Sequence, residues 1–170
     1  PVFTVEQLAV IYRHASDFER LLLLLGLNAA MSHAELTSLR KDETDGGTIK
    51  RVRGKSNVYA EFTLWPETQR ALTWWATDRG NETDLVLITA QGRPYTRQRI
   101  ANAWNGLKRR ITKQEGQEPQ WWLSFKHIRK TAAQLVRDAS NGEIAAVFLS
   151  HGKAVAGDDL ADVYSNRPFH

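Results

Sequence analysis

The 170-residue chain contains no cysteine. That excludes disulfides, zinc–thiolate centres and a thiol nucleophile, and it suits a reducing compartment. No apolar run reaches the ~20 residues needed to cross a bilayer. The longest, "LLLLLGL" from Leu21 to Leu27, sits inside an amphipathic pattern. A signal-peptide pattern, internal repeats and low-complexity segments are also missing. What remains is an ordinary globular composition, 42% hydrophobic and 25% charged. A chain of this length forms one domain whose core needs no covalent staples.

What is present is positive charge. The formal net charge is +4 at pH 7 and the pI is about 9.5, which points to a polyanionic partner. The cations gather in three places. "TIKRVRGKS" carries Lys50, Arg51, Arg53 and Lys55, and strand alternation sets Arg51, Arg53 and Lys55 on one face. A basic helix, "RQRIANAWNGLKRRITKQ", carries Arg97, Arg99, Lys108, Arg109 and Arg110, with Arg93 just before it. The third is "SFKHIRKT", from Ser124 to Thr131, where Lys126, His127, Arg129 and Lys130 open a helix. A helix N-terminus is already partly positive, so cations placed there call for an anion among them. Lys126 and Arg129, three residues apart, share a face and form a candidate phosphate clamp. Phe125, Ile128, Ala132 and Leu135 form the opposite, buried face.

The element pattern is mostly helical. Thr4–Gln7, Ser16–Glu19 and Ser32–Glu35 each have the capping-box form and predict helix starts. The second opens an apolar, central helix; the third opens a short helix, "AELTSLR". "DETDGG" is a turn signal. Thr48–Arg53 and Val58–Trp65 alternate around "GKSN" and predict a β-hairpin. A helix follows Pro66 with Trp74 and Trp75 on its buried side. "LVLI" predicts a short strand or extended segment. Helices over "KHIRKTAAQLVRDA", "IAAVFLSH" (buried, ending at His151) and "DDLADVYS" complete the chain. The fold class is mainly α with a small antiparallel β-sheet.

Read in order, "RGKS", "FKHIRKTAA", "EIAAVFLSH" and "LADVY" resemble the catalytic domain of the tyrosine recombinases, the phage-integrase family. There a β-hairpin lysine precedes an H-x-x-R helix, a helix ending in "LGH", and a short helix with a nucleophilic tyrosine. "LLLLLGL…AELTSLR" is similar to the family's "LLLTGLRxSELLxLR" segment. The resemblance covers nearly the whole chain. It implies a single catalytic domain over residues 1–170, without the family's N-terminal core-binding domain. It implies that Tyr164 attacks a DNA phosphodiester to form a 3′-phosphotyrosyl link. Arg129 and Lys126 would hold the phosphate, with His151 hydrogen-bonding it or assisting proton transfer and Lys55 protonating the leaving 5′-oxygen. Lys50, Arg51, Arg53, Arg97, Arg99 and Lys130 would meet the DNA backbone. No metal or other cofactor is implied. The implied partners are double-stranded DNA and further copies of the chain in a tetrameric synapse, with no membrane. The implied location is cytoplasmic, on the nucleoid.

Four departures accompany the resemblance. The family's first arginine is absent: analogy lands on Ser32 by one count and on Asn28 by another, and neither replaces a bidentate cation. Ser32 also reads as an N-cap. His33, Arg40, Arg51 and Arg53 are the candidates to reach in. Lys126 stands where the family has histidine, "LSH" replaces "LGH", and the stretch from His151 to Tyr164 is longer than the family's. Three further readings stay open beside an active recombinase: a catalytically impaired, recombinase-like DNA-binding protein, an enzyme of type IB topoisomerase kind, and an unrelated helical binding module whose basic face contacts nucleic acid or an acidic protein.

Overall fold

The computed structural model describes residues 1–54, 57–77 and 83–150. The described elements are α1 (Val5–His14), α2 (Asp17–Asn28), α3 (His33–Ser38), β1 (Thr44–Asp45), β2 (Thr48–Arg53), β3 (Val58–Thr63), α4 (Pro66–Thr77), α5 (Arg97–Glu115), α6 (Lys126–Ala139) and α7 (Gly142–Phe148). All three capping boxes form, at Thr4, Ser16 and Ser32, each with reciprocal bonds between the N-cap and the third helical residue. Local sequence chemistry thus starts α1, α2 and α3 where it predicts them.

Helix α2 is the hub. Leu21, Leu22, Leu23 and Leu25 are fully buried, and α4, α5 and α6 pack around it. At Gly26 the approach of α6 leaves no room for a side chain: a Cβ there would sit 2.6 Å from Ile128 Cγ2. Two aromatic groups fill the remaining core. Phe3, Trp104, Trp122 and Phe125 meet edge-on or tilted, while Phe18 stacks on Trp75 and Tyr95. The Phe3 amide donates to Thr131 Oγ1 at 2.9 Å, tying the first residues to α6.

The sheet has the order β1-β2-β3, antiparallel throughout. Gly46 and Gly47 both have positive φ (57° and 80°), which is what a two-residue hairpin turn between β1 and β2 demands. The β2–β3 register pairs Lys50 with Glu61, Arg51 with Ala60 and Arg53 with Val58. β1 is an addition to the predicted hairpin, and β3 ends at Thr63, short of Trp65. The "LVLI" segment is extended but joins its neighbours through isolated bridges, Arg40 with Leu85 and Ile88 with Pro94.

Three expectations of burial need correction. Trp75 is 1% exposed but Trp74 is 46% exposed, because adjacent helical residues point about 100° apart and only one can face the core. Leu135 is 40% exposed; the close contact with α2 is made at Ile128, near the other end of α6. Helix α7 buries Ala145 but exposes Ile144 and Val147, so it is covered on one side only. The predicted helix "DDLADVYS" lies outside the described residues.

Candidate functional site

The clearest polar cluster lies where the α2–α3 connection, β2, α6 and the end of α7 meet. Glu35 is at its centre. As the third residue of α3 it closes the capping box, its Oε2 accepting from the Ser32 amide at 2.8 Å. The same carboxylate takes Arg53 Nε on Oε1 at 2.5 Å and Arg129 Nη1 on Oε2 at 3.3 Å.

Arg129 is one turn into α6. It reaches two chain reversals as well as the carboxylate: Nη1 donates to the Ala30 carbonyl at 2.5 Å and Nη2 to the Leu149 carbonyl at 2.7 Å. Ala30 follows α2 and Leu149 follows α7, so the guanidinium sits at the negative ends of two helices. Ala30 itself has φ 50°, a left-handed conformation costly for a residue with a Cβ. That turn aims its carbonyl at Arg129. Ser150, which follows Leu149, is also left-handed, at φ 55°.

Arg53 Nη1 donates to the same Leu149 carbonyl at 2.5 Å. Beside it, Arg51 donates from Nη1 to the Glu35 carbonyl at 3.0 Å and from Nη2 to Ser38 Oγ at 3.1 Å. Arg51 Nε is buried without a hydrogen bond, 3.6 Å from Glu43. Arg51, Arg53 and Arg129 side chains are only 10%, 13% and 16% exposed. They line one small cleft with Met31, Glu35 and Ser150. Among the described residues, three guanidinium groups there face two carboxylates, Glu35 and Glu43, which leaves surplus positive charge.

The chain's fold has solved counterparts. It superposes on the XerA recombinase with a TM-score of 0.75, at 13% identity, over 100% of this chain and 66% of that one. The Tn1549 transposon integrase in complex with a circular intermediate DNA gives a TM-score of 0.73 at 11% identity, over 96% of this chain and 64% of the other. The lambda integrase catalytic core gives 0.70 at 14% identity, over 92% and 94%. The chain therefore has the tyrosine recombinase catalytic-domain fold. It spans about two thirds of the XerA and Tn1549 chains but nearly all of the isolated lambda core. No family model matches the sequence, and no curated protein does.

Within the recombinase fold, the residues named from sequence divide into three groups. Arg129, Arg51 and Arg53 are brought together. Lys126 opens α6 on the exposed side, one turn before Arg129, and Lys130 is exposed on the same helix. Lys55, His151 and Tyr164 lie outside the described residues. Helix α6 has no side-chain N-cap and no acidic residue in its first turn. His127 turns back onto Ser124, Nδ1 to Oγ at 3.0 Å, rather than toward Arg129.

Both positions offered for the absent first arginine are structural. Ser32 caps α3. Asn28 is 6% exposed and ties α2 to the β3–α4 junction. Its Oδ1 accepts from the Trp65 amide at 2.7 Å and Thr68 Oγ1 at 3.0 Å, and its Nδ2 donates to the Thr63 carbonyl at 3.0 Å. Of the candidates to reach in, Arg40 is held on the surface by Asp42 and Asp84. His33 packs edge-on against Phe125. Burial, then the nearby Arg97 charge, hold its imidazole below the usual histidine range. Arg51 and Arg53 do reach the cleft.

This alters the picture of the basic surfaces. Arg51 and Arg53 share an inward strand face with buried Ile49, while Lys50 points outward and pairs with Glu61 at 3.6 Å. On α5, Arg97, Arg99 and Arg109 are exposed. Arg110 is a structural residue instead. It grips Glu19 at 2.7 and 3.3 Å and the His14 carbonyl at 3.1 Å. Lys108 pairs with Glu118. Sequence reasoning read Glu35 as a capping residue and as the counterpart of a family glutamate, and missed that it joins Arg53 to Arg129. The available signal was its position just ahead of "LTSLR", where the family segment also carries a glutamate.

Proposed function

We propose that this chain is the catalytic domain of a site-specific DNA recombinase or integrase, acting on double-stranded DNA through a 3′-phosphotyrosyl intermediate. The observation that carries the reading is Arg129. In a chain of recombinase fold, it is delivered by the "KHIR" helix into a cleft with surplus positive charge.

In this scheme Tyr164 Oη gives up its proton, to His151 or to water, as it attacks the phosphorus, and the bond to the 5′-oxygen breaks. Lys55 gives that oxygen its proton. Arg129 stabilises the charge that builds on the non-bridging oxygens, with Lys126 and His151 in the phosphate-holding roles that the resemblance implies. The tyrosyl ester conserves the bond energy, so a 5′-hydroxyl from a second strand reverses the step and rejoins the DNA. Arg97, Arg99 and Lys130 track flanking phosphates and bind largely without sequence preference. Several copies assemble on the DNA.

A second reading has its own support: Asn28 and Ser32 are both structural, which favours a DNA-binding protein of impaired catalysis. The test uses the full-length parent protein and duplex DNA from its own genomic junction, nicked next to the cleavage point to trap the intermediate. On a denaturing gel the proposal expects a covalent adduct that Tyr164→Phe abolishes. Salt-sensitive DNA binding with no adduct across a tiled set of nick positions supports the impaired reading.

A further inference from the structure

We propose that Arg53, from β2, is the second guanidinium on the phosphate that Arg129 holds, filling the role of the arginine absent near Asn28 and Ser32. The inference rests on the recombinase reading for its substrate, a DNA phosphodiester, but its geometry stands alone. Arg53 and Arg129 come from elements far apart in sequence, yet they are clamped side by side. They take the two oxygens of one carboxylate, Glu35, and both donate to one carbonyl, Leu149. Planar guanidiniums fixed in this way hold their remaining N–H donors in place, which suits the two non-bridging oxygens of a phosphodiester.

The groups retain capacity to bind. A guanidinium has five N–H donors. Among the described residues, no acceptor meets Nη2 of Arg53 or Nε of Arg129. Arg51 Nε, buried beside them, also has no hydrogen bond. Among the described residues, Glu35 and Glu43 are the two carboxylates paired with these three guanidiniums, and the helix-end carbonyls of Ala30 and Leu149 offset only part of the remaining charge. The cleft has room for only about 10 Å³, so an anion compensates that surplus from its edge. A lone structural ion pair would need only one arginine per carboxylate. Arg53 also satisfies a requirement that Lys50, on the outward face of the same strand, does not: it faces the cleft that Arg129 enters.

The test is a titration with inorganic phosphate and, separately, with a nicked duplex. In the wild-type protein, the arginine Nε–H NMR signals of Arg53 and Arg129 move together as phosphate is added. Arg53→Ala and Arg53→Lys weaken phosphate binding at least tenfold, while Arg70→Ala, an arginine on α4 paired with Glu67, changes it less than twofold. Circular dichroism melts show which variants are folded. If the wild-type Arg53 signal stays still while Arg129 moves, or folded Arg53→Ala binds phosphate within twofold of wild type, the proposal is overturned. The DNA experiment separates the two ideas. Phosphate binding that depends on Arg53, with no covalent adduct from the wild type, keeps this site and removes strand exchange. An adduct formed at full rate by Arg53→Ala keeps strand exchange and removes this assignment.

Discussion

Glu35 and Arg129, 94 positions apart, meet at 3.3 Å through a carboxylate that also caps the helix on which Glu35 sits. One side chain therefore couples the start of α3 to the cation that α6 delivers. Replacing Glu35 with Gln separates these jobs, because glutamine still closes a capping box. The Glu35→Gln protein keeps α3 but leaves Arg53 and Arg129 without their shared anion. Unfolding in urea is expected to show a loss of about 2 kcal/mol, below the usual range for breaking a fully buried pair because the groups keep some solvent contact. An unchanged unfolding midpoint would show that the carboxylate has no role in holding the cluster.

Gly26 sets how closely α6 approaches α2. A methyl group at this position would lie only 2.6 Å from Ile128 Cγ2, so Gly26→Ala forces the helices apart. The expected cost is about 1–3 kcal/mol, the usual range for overpacking. Ile128→Leu removes the branch methyl that clashes, so the double variant recovers part of that loss. A double-mutant cycle by urea unfolding measures the coupling; strictly additive losses would place the strain elsewhere.

Arg110 looks like a DNA-contact residue in the sequence and behaves as a structural one in the fold. Arg110→Ala strands the buried Glu19 carboxylate, and a loss of about 2 kcal/mol follows. The exposed neighbour Arg109→Ala stays within about 0.5 kcal/mol of wild type. Paired thermal melts check the contrast, and equal effects at both positions would refute it.

His33 has its folded pKa depressed by burial first and by Arg97 second. Its neutral form is therefore the one that the folded state favours. Stability is complete above the ordinary value of 6.5. It declines as pH falls below that value, where the unfolded chain takes up a proton that the folded chain resists. His33→Gln removes this contribution and flattens that part of the stability–pH curve. Urea midpoints collected from about pH 7.5 down to about pH 5 decide the matter; an unaltered slope in His33→Gln contradicts it.

Much of this arrangement was legible residue by residue. The three capping boxes predicted their helices because N-cap chemistry is satisfied within four residues. The β2–β3 hairpin was legible from its alternation. Which face of β2 turns inward was harder: Ile49 shares parity with Arg51 and Arg53, but Val52 lies on the other face and is exposed. Alternation alone therefore left the arginines as surface cations. The pairing of Glu35 with both Arg53 and Arg129 had no local signature, since its partners come from other elements.

The sequence by itself determined the helix starts, the hairpin, the apolar α2 and the order of the recombinase-like motifs, all of which depend on near neighbours in the chain. Only the tertiary structure decided that Asn28 and Ser32 are fully engaged elsewhere and that Arg51 and Arg53 line the Arg129 cleft. It also revealed the Ala30 and Leu149 carbonyls as acceptors. The reason is physical: those choices depend on backbone carbonyls and on the register of one strand, and neither carries a side-chain signature. They are set when α6 packs on α2 at Gly26 and β2 pairs with β3, bringing distant charges within a few ångströms of one another.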